Sequence, residues 1–392
     1  MWGVYRHKKR ESLSLGIDIG THAVKVMLAE GVGDRIEVRG ASSFATPAGL
    51  VVEGGITNPK KFAKLLLAEL DSYGLRAAGA VMSIPSTMAI LRWVSLPPLV
   101  GEELRQAARY KVKRHLPFPV DDAYVDASPP ERTDDGSMGQ SLVIAVRKEV
   151  IDSRAEALEL ARVTPLGAEL EAQAILRIVE RQLNEKSVLW RDATLTIIDV
   201  GGSNTHMYVV QNQRLQFIRG VKFGSDQIAD AVSKALDISH EEAHGLFANA
   251  NTELRTDGVL VIRHEGLTSV VNVQQEMDKL VREFLRLLRY FRSLHPERSY
   301  AGILDNVVVC GGMVGLNGFT SYLQQSLGIR VERARPFTGM VAQLRKETFQ
   351  SVTNHQEAYT VVTGLALAGL GGPLAGLGEH NARSEFNWTR AA

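Results

Sequence analysis

Two aspartates could do chemistry here because each ends an apolar strand and is followed closely by glycine. Asp18 lies in SLGIDIGTHAVKVMLAE (Ser14 to Glu30) and Asp199 in TLTIIDVGGSNTHMYVV (Thr194 to Val210). A carboxylate at a strand end can hold a hydrated cation, and the bare glycine backbone beside it lets phosphate oxygens approach main-chain N–H donors. One such turn is also what any turn-forming Asp produces. Two at matching places point to two halves clamping one nucleotide. A third segment, NVVVCGGMVGLNGF (Asn306 to Phe319), is another apolar strand running into paired glycines.

The elements around these turns alternate between strand and helix. From Leu13 to Ile84 the pattern predicts strand, strand, short strand, helix, strand. Asn58 and Pro59 open that helix as cap and first-turn residue, and Gly74 closes it. Val94 to Pro165 reads as a separate compact piece: a strand stopped by prolines, a helix from Glu102 to Leu116, an exposed loop at PPERTDDGSMG, a strand and a second helix. From Thr194 the opening pattern recurs. Ser239 with Glu242 has capping-box spacing at the head of a helix. A long helix covers Val271 to Leu294, and a final apolar helix Tyr359 to Leu370. The chain is a weak internal duplication of an α/β unit.

Composition bounds the function classes. The 392 residues suffice for two or three domains, with 45% apolar and 23% charged residues. A net charge of +1 gives no global pull towards nucleic acid. The single cysteine, Cys310, sits in an apolar run, so a disulfide framework is excluded and a small buried hydrophobe is expected. Arg6, His7, Lys8, Lys9 and Arg10 form a basic cluster with no long apolar stretch after it, unlike a signal peptide. No run has the roughly 18 apolar residues that span a bilayer. Arg105, Arg109, Lys111, Lys113 and Arg114 crowd one helix; they make either a solvated face or a surface for anionic lipid or an acidic partner.

Asp-Ile-Gly-Thr, Asp-Val-Gly-Gly-Ser and Val-Cys-Gly-Gly-Met resemble the phosphate-one, phosphate-two and adenosine motifs of the actin-like ATPase superfamily, which includes actin, sugar kinases and FtsA. The block LRWVSLPPLVGEELRQAARYKVKRHLPFPVDDAYVDA, Leu91 to Ala127, is narrower and resembles the PilM family of type IV pilus assembly. Ser141 to Val179 and Arg282 to Ser293 are similar to that family as well.

The resemblance implies an α/β, actin-like ATPase fold: two duplicated halves around a nucleotide cleft, with a small inserted α+β subdomain. The first half would take 12–93, completed by 166–193 and the 359–371 helix, and the insertion 94–165. The second half would take 194–225 and 300–358, with 226–299 as its smaller subdomain and 372–392 as a poorly ordered tail. It implies ATP or ADP with Mg2+ as cofactors. Asp18 and Asp199 would carry the metal. Gly20, Thr21 and His22 would present donors to the β- and γ-phosphates, with Lys25 either reaching a phosphate or serving as a strand-edge lysine. Gly201, Gly202, Ser203 and Thr205 would complete the second clamp, while His206 packs beside the turn. Glu171 would orient a water for attack on the γ-phosphate or be a solvated helix-surface residue. Glu283 and Arg286, three apart on one helix face, would bracket the ribose and adenine or form an exposed ion pair. Gly311, Gly312 and Met313 would approach the base.

By the same resemblance the chain would be a cytoplasmic platform peripheral to the inner membrane, at most a slow ATPase. It would bind the N-terminal cytoplasmic tail of PilN between the first half and the Val94–Pro165 insertion. Pilus motor ATPases or the platform protein, and weak self-association, are further expectations; nucleic acid is not. A small-molecule kinase and a filament-forming bacterial actin homologue are the alternatives within the superfamily.

Overall fold

The computed structural model describes residues 13–77, 79–131, 138–185, 194–211, 214–264, 266–294, 306–344 and 346–371. The basic cluster Arg6–Arg10, most of the PPERTDDGSMG loop and the 372–392 tail lie outside the described residues. Two compact units emerge: Met1–Arg177 with Gly339–Arg345 and Val361–Ala392, and Ile178–Thr338 with Lys346–Thr360, each to the extent its residues are described.

The first unit opens with three antiparallel strands, β1 (Leu13–Ile19), β2 (Ala23–Val32) and β3 (Arg35–Ala45). A two-stranded ribbon, β4 (Val51–Val52) and β5 (Gly55–Ile56), leads to α1 (Pro59–Tyr73). The Asn58 side chain accepts from the Lys61 N–H, and Gly74 ends the helix at φ 67°, as its sequence predicts. Next come β6 (Gly79–Ile84), a 3-10 turn Ser86–Met88, β7 (Ala89–Leu96), α2 (Gly101–Val112), β8 (Ala123–Ala127), β9 (Gly139–Arg147), α3 (Lys148–Leu160), β10 (Thr164–Leu170) and α4 (Glu171–Glu185).

The main sheet runs β10-β6-β1-β2-β3, with β6 and β10 parallel to β1. Parallel alignment brings the carboxyl ends of β1, β6 and β10 to one edge, where open α/β sheets bind their ligands. The sheet β7-β9-β8 buries Val143 and Ala145 against Leu104, Ala108 and Val112 of α2. Ile144 and Val146, which alternate with those residues along β9, join the main core with Phe62, Leu66 and Leu158. The Val94–Pro165 segment thus lies within the first unit, and its α3 packs on α1.

The second unit repeats the plan. β11 (Thr194–Val200), β12 (Thr205–Gln211) and β13 (Arg214–Val221) are antiparallel, followed by α5 (Ser225–Leu236) and α6 (His240–Phe247). A small sheet of β14 (Thr252–Leu254), β15 (Val259–His264) and β16 (Leu267–Asn272) precedes α7 (Gln274–Leu294). β17 (Asn306–Cys310), α8 (Phe319–Leu327) and β18 (Val331–Arg333) complete it. Its sheet order, β13-β12-β11-β17-β18, matches β3-β2-β1-β6-β10 of the first unit, whose sheet carries one further strand beyond β3. Cys310 is fully buried, as its apolar neighbours predict.

The chain then returns: β19 (Met340–Ala342) pairs parallel to β3, α9 spans Lys346–Asn354, and α10 spans Thr360–Leu370. Gly16 lets α10 lie directly on β1, because a Cβ there would be 2.3 Å from the Val362 carbonyl oxygen. No helix among the described residues is long and apolar enough to cross a membrane.

Candidate functional site

The first glycine turn joins β1 to β2. The Gly20 N–H donates to the Ala23 carbonyl at 3.1 Å, and the Thr46 hydroxyl and N–H hold the carbonyls of Gly20 and His22. A Cβ on Gly20 would meet the Ala23 carbonyl at 2.8 Å. Thr21 and His22 are exposed at the tip. Asp18 is 8% exposed, and its carboxylate accepts no hydrogen bond from the described residues. Lys25 is the direct register partner of Asp18, so the two side chains share a face. β2 is paired on both sides, so the strand-edge expectation for Lys25 is overturned.

The second turn repeats this geometry. The Gly201 N–H donates to the Asn204 carbonyl at 3.0 Å, and a Cβ on Gly201 would lie 2.9 Å from the same oxygen. Asp199 faces His206 across the ladder as Asp18 faces Lys25. His206 is buried beside the turn, as expected, and burial pushes its pKa down to about 4, so the imidazole is neutral. The carbonyls of Gly201 and Gly202 accept from the N–H groups of Ser225 and Asp226, locking the turn onto the start of α5. Ser203 donates to Asp226 Oδ2 at 2.9 Å. Thr205 is buried and its hydroxyl is committed to the Phe223 carbonyl at 2.7 Å, a structural contact.

The paired glycines join the second turn. β17 lies parallel to β11 with Cys310 opposite Asp199. Gly311 adopts φ +98°, where a Cβ would be 2.4 Å from the Val200 carbonyl and 2.6 Å from an Asp199 carboxylate oxygen. Gly312 has open space above its Cα, while the Met313 side chain is buried in the core. On α7, Glu283 and Arg286 pair with each other at 2.5 Å, with Arg286 mostly exposed.

Glu171 is the first residue of α4, at the carboxyl end of β10. It is half-buried and accepts the Ser86 N–H at 3.1 Å, while the Ser86 hydroxyl accepts the Ala172 N–H at 3.0 Å. The solvated-surface expectation therefore fails.

One residue escaped the sequence. Arg154 of α3 is fully buried and donates to the carbonyls of Gly54, Ser83 and Ile19 and to the Ser83 hydroxyl. Ser83 in turn accepts the Ile19 N–H at 2.9 Å. Both backbone groups of the residue between Asp18 and Gly20 are thus fixed. Burial lowers the Arg154 pKa to about 10, partly offset by the charges of Glu171 and Asp18, so it remains a cation at neutral pH. Its signal was an arginine on the apolar stripe Val150, Ile151, Ala155 and Leu158 of α3.

The basic helix α2 is partly neutralised: Arg105 pairs with Glu102 and Arg109 with Asp121, each at 2.9 Å.

Comparison with known proteins agrees with these features. The family described as type IV pilus assembly protein PilM matches residues 16–370. Cell division protein FtsA of Streptococcus pneumoniae serotype 2 (strain D39 / NCTC 7466) is 22% identical over 352 residues, covering 82% of this chain and 75% of FtsA. A solved structure of a PilM-PilN type IV pilus biogenesis complex superposes with a TM-score of 0.73 at 22% identity, covering 93% of this chain and 100% of that one. With the duplicated β-sheet order and the matching family spanning nearly all of the described residues, the chain has the actin-like ATPase fold and belongs to the type IV pilus assembly protein PilM family.

Proposed function

We propose that this protein is a nucleotide-binding platform of the type IV pilus inner-membrane assembly machinery, holding magnesium–ATP or ADP and the N-terminal cytoplasmic tail of PilN. The observation that carries it is the repeated turn: Asp18 with Gly20 and Asp199 with Gly201 have the same ladder position, the same N–H to carbonyl closure and the same exclusion of a Cβ. The residues fit the group. An almost buried carboxylate with no hydrogen-bond donor from the described residues suits a hydrated cation, and the glycines leave cradles that a side chain would fill. Magnesium, when bound, supplies charge neutralisation for the phosphates.

In this reading Asp18, and Asp199 at the matching position of the second turn, would each offer a carboxylate to a hydrated cation. The backbone N–H groups of Thr21 and His22, and of Gly202 and Ser203, would be offered to the phosphates, since those of Gly20 and Gly201 close their own turns. Lys25, beside Asp18, offers a further positive charge. Gly311 and Gly312 admit the nucleoside, and Glu283 with Arg286 flank the ribose. Glu171, one oxygen engaged by Ser86, uses its carboxylate to orient a water. The solved PilM relative is a complex with PilN, which supports the same kind of partner here.

Titration calorimetry tests both parts. Asp18→Ala and Asp199→Ala are each expected to weaken magnesium–ATP binding roughly tenfold or more, with unchanged circular dichroism. Wild-type affinity in both variants overturns the nucleotide assignment. A synthetic PilN-type tail peptide is expected to bind the full chain, and absence of binding overturns the partner assignment. Deleting Val94–Pro165 is not a clean test, because that segment carries α3 and β9 out of the main core.

A further inference from the structure

His240, Glu241, Glu242, Ala243 and His244 spell H-E-x-x-H at the head of α6. That spacing sets two imidazoles one turn apart on one helix face, and their ring centroids are 4.7 Å apart. A third group comes from another element. Asp226, in the first turn of α5, places Oδ1 3.0 Å from His244 Nε2. One ligand atom from each of Asp226, His240 and His244 lies within 4.8 Å of the other two.

These separations suit a metal ion. Ligand atoms about 2.0–2.1 Å from a tetrahedral ion are about 3.3 Å from each other. The Asp226–His244 distance is already near that value, and half-exposed His240 can close the rest by side-chain rotation. Supporting carboxylate and hydroxyl groups are in place as well. Asp230 Oδ1 lies 3.4 Å from His240 Nε2, and the Ser203 hydroxyl donates to Asp226 Oδ2. The Asp226–His244 hydrogen bond and the Asp230 contact of His240 hold the three side chains close in the absence of an ion.

We propose that Asp226, His240 and His244 form a binding site for a borderline divalent transition-metal ion of the zinc class, with its fourth position open to solvent or an exogenous ligand. Two imidazole nitrogens and one carboxylate favour zinc, cobalt or nickel over magnesium, which prefers an all-oxygen shell. The inference concerns binding and does not depend on the nucleotide reading. Glu242 is engaged in the capping box with Ser239, which fixes the start of α6 and so the spacing of the two histidines. Because Asp226 also accepts a hydrogen bond from the Ser203 hydroxyl, the ion would tie α6 to the second glycine turn.

The test uses the full chain, freed of any polyhistidine tag and stripped with chelator, without nucleotide. Zinc is titrated by calorimetry and cobalt by visible absorption. One equivalent is expected to bind, with the intense cobalt bands of a tetrahedral nitrogen–oxygen site and no competition from excess magnesium. Asp226→Asn, His240→Ala and His244→Ala should each weaken zinc roughly tenfold or more, and the double histidine variant should abolish the cobalt bands. Melting temperature in chelator should be unchanged, since both histidines are partly exposed. Where the double variant does not fold, His240→Gln alone decides the matter. No zinc binding by the wild-type chain, or wild-type zinc affinity and cobalt spectrum in the histidine variants, overturns the proposal.

Discussion

The Arg154 guanidinium donates to the carbonyl oxygen of Ile19 at 3.2 Å, 135 positions earlier in the chain. A buried cation on α3 therefore holds the backbone between Asp18 and Gly20. Replacing Arg154 with Ala removes the donor from three buried carbonyls at once. We expect Arg154→Ala to lower unfolding free energy by about 3–5 kcal/mol and Arg154→Lys to recover only part of it. Denaturant titration checks this, and a loss under about 1 kcal/mol would show that the turn is held by other means.

Gly311 has no room for a Cβ. Gly311→Ala combines a strained backbone with contacts to the Val200 carbonyl and the Asp199 carboxylate. A destabilisation of about 1–3 kcal/mol is expected, with nucleotide affinity reduced because Asp199 must move. Gly312→Ala, where space is open, serves as the control and should fold like the wild type.

His206 gives a pH signature in the nucleotide-free protein. Its folded pKa of about 4 lies below the ordinary value of 6.5, so the unfolded chain binds the proton first. Stability from this residue is complete above pH 6.5 and is lost as pH falls towards 4, at about 1.4 kcal/mol per pH unit. Between pH 7 and pH 5 that amounts to about 2 kcal/mol. His206→Gln should flatten this part of the profile; an unchanged slope would assign the acid sensitivity to other groups.

Glu171→Gln preserves an acceptor for the Ser86 N–H while removing the charge. Nucleotide affinity should stay near wild type, and hydrolysis should fall about 100-fold from whatever basal rate the chain has. Equal loss of binding and hydrolysis would mark Glu171 as a support for the Ser86–Ala172 junction alone.

Local chemistry made much of the fold legible. Asn58 and Gly74 bracket α1, Ser239 and Glu242 cap α6, and the apolar runs ending at Asp18 and Asp199 became hairpins in corresponding sheet positions. These features depend on neighbours within a few residues. Lys25 was ambiguous because a sequence does not say whether β2 is paired on one side or two. The Val94–Pro165 segment read as a separate piece because its strand–helix–strand–helix order suits a small inserted subdomain. Only packing shows that alternate residues of β9 serve two cores.

By itself the sequence determined the carboxylate–glycine turns, their duplication and the family block at Leu91–Ala127. Short-range backbone preferences and residue spacing suffice for those. The tertiary structure alone decided that Arg154 supports Asp18, that Gly311 meets Asp199, that Thr205 is spent on Phe223, and that Asp226 completes a cluster with His240 and His244. Each of these joins residues on different elements, and which elements become neighbours is set by parallel strand order and core packing over the whole unit.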